Sequence, residues 1–269
     1  MKNLDHQYND NAQDVARRVI DRVNTGAMIS YAQNFEDVLL DRVFRDRKNG
    51  FFIDIGAFHP VYNSVTNHFY LNGWNGLNID IDQDNINRFK TQRPRDINLC
   101  VAVGNNNETM KFFNLPGTPR TTILSNLAND YEKRGWRVNE KIVSVRTISS
   151  IIDHYEISEI DFLKIDVEGA EEIVLQGGDW KRHRPKIILV EATFPETDIE
   201  NHFSWESILL SSDYKFAFFD GLNRYYVSAE QSELLHKINQ PANFFDNFLR
   251  NDTFILAKAV SQNMSRRLD

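Results

Sequence analysis

The chain has 269 residues, 41% of them hydrophobic, enough for one large α/β domain with a full core and no need of a second. A formal net charge of −7 supplies no global basic field, which excludes nucleic acid as a charge-selected partner. The lone cysteine, Cys100, allows neither an internal disulfide nor a cysteine-built zinc site, so a reducing, cytoplasmic setting fits.

In chain order, residues 1–27 read as an N-terminal helical extension, with Val15, Ala16, Val19 and Ile20 as its apolar positions. The start is polar, without an apolar leader, and no run approaches the ~20 apolar residues of a membrane span. From Asn34, the spacing of Phe35, Val38, Leu39 and Val43 predicts a helix with Glu36 and Asp37 in its first turn, where the helix dipole favours acids.

The stretch Phe51-Phe52-Ile53-Asp54-Ile55-Gly56-Ala57-Phe58-His59-Pro60 then predicts a buried strand closing on an acid and a glycine. A second strand, Gly76 to Asp80, also ends in an acid. Successive acid-tipped strands are the pattern of a nucleotide-type ligand at the carboxyl ends of parallel strands. Gly56 lets a ligand approach bare backbone, and Asp80 stands at the height of a ribose. Only one glycine of G-x-G-x-x-G is present, so a pyrophosphate lacks its cradle. S-adenosylmethionine carries adenine and ribose without pyrophosphate and needs no such cradle.

Residues 63–71 predict the first crossover helix, with His59 and His68 as candidate ligand contacts, although a lone histidine is more often structural. Ile97 to Val103 predicts a third strand. Residues 115–140 form an insertion with Pro116, Pro119, Arg120, Lys133, Arg134 and Arg137, read as a substrate lid. In Ile160 to Glu171 a persisting strand would place Lys164, Asp166 and Glu168 on one face. Lys186 to Val190 predicts a buried strand ending at Glu191. Tyr214–Phe219 and Arg224–Val227 flank the turn Asp220-Gly221-Leu222-Asn223 as an antiparallel hairpin. In the tail, Phe244, Phe245 and Phe248 are expected to dock, and residues 261–269 to be loose.

Several blocks in order, Tyr31 to Leu40, Phe52 to Ala57, Asn63 to Thr66, Leu163 to Glu171 and Phe219 to Arg224, resemble the FkbM family of S-adenosylmethionine-dependent methyltransferases. The resemblance implies a class I methyltransferase α/β fold of Rossmann-like type. Its mainly parallel seven-stranded sheet is closed by an antiparallel hairpin and has helices on both faces. The domain would span 28–248 with the insertion inside it, followed by a tail, 249–269. It implies S-adenosyl-L-methionine as cofactor and methyl transfer to a hydroxyl of a sugar, glycan or secondary metabolite. Similar members are associated with bacterial surface polysaccharide synthesis.

By position, the resemblance implies that Asp54, Gly56 and Ala57 line the methionine end of the cofactor, and that Asp80 holds the ribose. This chain has Asp80-Ile81 where the family more often has Glu-Pro, so Asp82 is a possible substitute for the ribose contact. Asp166 and Glu168 would lie near the transferred methyl. The base candidates, in order, are Glu168, Asp166, Glu191 and His59. No local ligand motif demands a metal, though Asp166 and Glu191 could hold a divalent ion. An NAD-dependent oxidoreductase and a non-catalytic carbohydrate-binding module are the alternative readings. The acceptor and the oligomeric state are not legible.

Overall fold

A computed structural model describes residues 12–115, 121, 122 and 125–265. Its central sheet has seven strands: β1 (Phe51–Ile55), β2 (Asn75–Asp80), β3 (Ile97–Cys100), β4 (Phe162–Ile165), β5 (Ile187–Glu191), β6 (Tyr214–Phe219) and β7 (Asn223–Ser228). Their spatial order is β3-β2-β1-β4-β5-β7-β6, and β7 runs antiparallel to both of its neighbours. The strand order reverses between β1 and β4. That switch point opens a crevice at the carboxyl ends of the strands, where the acids of the sequence sit.

The strands form because their residues suit burial on both faces. Phe52, Ile53, Phe162, Leu163 and the run Ile187 to Val190 are fully buried, as near-continuous apolar strands of a covered parallel sheet must be. Ile148, Ile151, Ile152, Val174 and Leu175 pack in the cluster on one face. Leu39, Leu40, Val43, Phe44, Val65 and Phe69 pack in the other. The polar exceptions fall in one row: Asp54 is in register with Asn78 on β2 and with Lys164 on β4. Lateral neighbours therefore satisfy the charges that the apolar layers cannot.

A second sheet comprises Ala102–Val103, Glu108–Asn114, Thr121–Thr122 and Asn139–Arg146. The expected third strand is thus broken: residues 97–100 pair with β2, while 102–103 leave the central sheet to pair with Val145 and Arg146. The edge strand ends early because Val145 and Arg146, beyond the insertion, offer new backbone partners. Within the insertion Ser125–Lys133 is helical, and the strand Asn139–Arg146, which begins at its end, pairs with Glu108–Asn114. Residues 116–120 and 123–124, Arg120 among them, lie outside the described residues.

The crossover helix is also shorter than its pattern, Asn67–Leu71 only. Ser64 and Thr66 bond to Arg93, and Thr66 also to Asp54, holding residues 60–66 in turns. Hydroxyl side chains readily compete with helix in this way. At the chain ends, the helix Ala12–Asn24 contacts the helix Asn251–Ser265, and Met28–Ser30 pairs with Phe248–Arg250. Residues 261–265 continue that helix rather than hanging loose, while 1–11 and 266–269 lie outside the described residues. Of the three tail aromatics only Phe248 docks, 5.0 Å from the Phe35 ring; Phe244 and Phe245 are 89% and 87% exposed. Among the described residues no helix is long and apolar enough to cross a membrane.

Candidate active site

Two adjoining cavities occupy the crevice. The first is walled by Gly56, Ala57, Phe58, Ile79, Asp80, Ile81, Val101 and Val103, and the second by Glu36, Glu191, Thr193, Glu196, Thr197, Asp198 and Leu222. Gln33, Asn63, Lys164, Asp166 and Glu168 border both. The first is mostly apolar with one buried acid. The second is polar and rich in carboxylates.

Gly56 makes the first cavity possible. Its φ is +78°, a left-handed conformation that glycine adopts without strain. Its N–H and that of Ala57 both donate to Ile79 O at 3.0 Å, turning the chain across the end of β2. Asp80 is 7% exposed: Oδ1 accepts from Asp82 N (2.7 Å) and Asn85 Nδ2 (3.2 Å), and Oδ2 from Phe58 N (2.8 Å). A carboxylate has about four acceptor sites, so one remains for a ligand hydroxyl. Burial raises the Asp80 pKa, against those hydrogen bonds.

Lys164 is the hub of the shared wall. Its Nζ lies 3.3 Å from Asp54 Oδ1 and 3.2 Å from Asp166 Oδ2, and donates to Gly56 O at 2.9 Å. Burial opposes its charge, but the two carboxylates outweigh burial and hold the pKa above that of an ordinary lysine. It therefore stays cationic and cannot serve as a base. Asp54, 1% exposed, borders neither cavity; it fixes Lys164 from beneath and accepts from Thr66 Oγ1 at 3.1 Å.

The loop after β4 carries Glu168 at φ +55° and Gly169 at φ +96°. Glu171, 1% exposed, clamps it: Oε1 accepts from Val167 N and Gly169 N, both at 3.1 Å. Burial pushes the Glu171 pKa up to about 7. Glu191 extends β5 one residue beyond the Val190–Ile165 pair, which sets it beside Asp166. Burial, then the charges of Asp166, Glu168 and Glu171, and a side-chain hydrogen bond to Asp166 raise the Glu191 pKa far above the carboxylate range. At neutral pH Glu191 thus keeps its proton and donates to Asp166. Among the described residues no three of His, Cys, Asp and Glu converge to hold a metal ion.

Other candidates stand elsewhere. Asp82 borders neither cavity; it caps the helix Gln83–Gln92 through Asp84 N and binds Asn114 and Lys141. His59 borders neither cavity, and its Nδ1 accepts from Val61 N (3.1 Å) and Tyr62 N (3.0 Å), organising the turn. Burial, then Arg88 and Arg93, lower its pKa. His68 binds Asp41 at 3.1 Å, away from both cavities.

Sequence reasoning missed Gln33, Asn63, Glu36 and Arg93. The first three lie inside the blocks that carried the resemblance. Arg93, 1% exposed, donates to Thr66 Oγ1 (2.7 Å), Ser64 Oγ (2.8 Å) and Pro60 O, and so positions Asn63. Glu36 accepts from Asn34 N (2.8 Å) and Asn223 Nδ2 (3.0 Å), tying the 33–36 loop to the β6–β7 turn; burial pushes its pKa to about 7.

The first cavity's features fit S-adenosylmethionine: bare backbone at Gly56, a buried acid with one open acceptor site, and a flat apolar wall of Ile79, Ile81, Val101 and Val103. Residues 54–216, more than half of the chain, match the model of the methyltransferase FkbM domain. No curated protein matches the sequence. Among solved structures, a TehB-like S-adenosylmethionine-dependent methyltransferase from Corynebacterium glutamicum is similar, at 12% identity and a TM-score of 0.40, over 81% of this chain and 97% of that one.

Proposed function

Because the chain belongs to the FkbM methyltransferase family and is an S-adenosylmethionine-dependent methyltransferase, we propose that it methylates a hydroxyl oxygen of a sugar or glycan, in the assembly of a surface polysaccharide. One observation carries the reading. The wall formed by Asp166 and Glu168 stands between a mostly apolar cleft and a polar chamber lined by hydrogen-bonding side chains. A polyol needs many such partners, whereas an apolar acceptor would leave them unsatisfied.

Gly56 and Ala57 would offer backbone to the methionine end, Asp80 would accept from a ribose hydroxyl, and Val101 and Val103 would flank the base. When bound, the cofactor supplies an electrophilic methyl group. Asn63 and Gln33 orient the acceptor from the common border. Glu168, which borders both cavities, would take the proton of the acceptor hydroxyl. Lys164 holds Asp166 in place. Alignment contributes on the order of 7–11 kcal/mol. A base contributes about 10²–10⁴ in rate, or roughly 3–5 kcal/mol.

The test is a panel of glycosides incubated with protein and cofactor, with S-adenosylhomocysteine release followed and the product located by NMR. A new O-methyl signal on a sugar carbon is expected. Methylation only at nitrogen or carbon would overturn the oxygen assignment.

A further inference from the structure

The second cavity has a charge pattern that deepens this reading and rests on it. Six carboxyl side chains line it, Glu36, Asp166, Glu168, Glu191, Glu196 and Asp198, against one ammonium, Lys164, among the described lining residues. That ammonium already faces Asp54 and Asp166, so it offers no uncompensated positive charge to a ligand. Asp166 and Glu168 also border the first cavity, where the cofactor's own cationic groups account for them. Glu196 and Asp198 border only the second, at its outer side, and the cofactor does not explain them.

We propose that the acceptor chamber selects sugars that are neutral or carry an ammonium group and rejects those bearing a phosphate or carboxylate. Like charges brought together in such a chamber repel, the more so the less water and salt screen them. A phosphate would meet several such charges without a guanidinium fork to receive it. Arg134, which is not among the described lining residues, pairs with Glu196 at 3.1 Å and so offsets part of that carboxylate's charge. Hydroxyls, in contrast, donate to carboxylates directly. Charge alone separates methyl glucoside and glucosamine from glucuronate and glucose 6-phosphate.

The test first titrates the protein with S-adenosylhomocysteine. Failure there sinks the methyltransferase reading itself. The complex is then probed with those four sugars at millimolar concentration by saturation-transfer NMR, for wild type and the Glu196→Gln/Asp198→Asn double variant. Wild type is expected to bind methyl glucoside and glucosamine and to ignore the two anions. The double variant, still binding S-adenosylhomocysteine, gains affinity for the anions by about tenfold. Wild type binding the anions as well as the others, binding none of the four, or a preference unmoved by the double substitution would each overturn the proposal.

Discussion

The carbonyl oxygen of Asp166 faces Gly56 so closely that a Cβ built on Gly56 would lie 1.7 Å from it. The two strand ends that form the cleft thus meet at a point where only glycine fits, in a backbone conformation that only glycine adopts without strain. Gly56→Ala should cost at least ~2 kcal/mol of stability and abolish cofactor binding in whatever remains folded. Thermal denaturation with calorimetry of S-adenosylhomocysteine binding checks both. An unchanged melting temperature and affinity would show that the strand ends move apart freely.

Two glutamates of the second cavity, Glu168 and Glu191, should respond differently to the same substitution. Glu168→Gln removes the base and should lower kcat by about 10²–10⁴. Glu191 carries a proton and donates to Asp166, and glutamine preserves a donor there, so Glu191→Gln should keep kcat within about threefold of wild type. The reverse ranking would move the proton transfer to Glu191.

Glu191 also sets a pH dependence of stability. Its folded pKa is raised above the unfolded value near 4.5, so the folded state binds more protons between those two values. Stability is fully present below the unfolded pKa and declines as pH rises toward the folded one. Glu36 and Glu171, each near 7, act in the same direction up to neutrality. Glu191→Gln should therefore match wild type near pH 4 and exceed it at pH 8 by on the order of 1–3 kcal/mol in urea unfolding. A variant gaining nothing at pH 8 would mean that Glu191 is ionised in the native protein.

Arg93 lies outside both cavities yet should control the acceptor side. Its guanidinium gathers Ser64, Thr66 and Pro60 O, and lies over the Phe89 and Tyr70 rings at 5.2 and 5.4 Å. Arg93→Met keeps bulk but orphans those acceptors and should cost about 3–5 kcal/mol. In a folded fraction, KM for the acceptor should rise more than Kd for S-adenosylhomocysteine, because Asn63 borders both cavities but Asp80 is held separately. Equal losses would place Arg93 in general scaffolding.

The sheet was legible because its strands are buried runs with acids at their tips, and those acids mark the crevice that the strand order creates. Gly56, Asp80, Asp166 and Glu191 border the crevice where that pattern put them, whereas Glu168 sits in the loop beyond β4 rather than on a continuing strand face. Asp54 and Asp82 could not be told apart from them, since a carboxylate that braces Lys164 or caps a helix has the same residue type and height in the sheet. His59 lies outside both cavities, where its ring serves two backbone amides of its own turn, a role that residue type alone does not signal. Arg93 sits about 30 residues from the loop it holds, and no local periodicity signals a contact of that kind. The break after β3 depends on Val145 and Arg146, distant in sequence, as backbone partners, which is a tertiary effect.

The most direct measurement is calorimetric titration of wild type and Asp80→Ala with S-adenosylhomocysteine, with NADH as control. The account predicts micromolar binding by wild type, loss of about tenfold or more in Asp80→Ala as the ribose acceptor disappears, and no response to NADH. A well-folded wild type that binds NADH, or that leaves S-adenosylhomocysteine unbound, would contradict it.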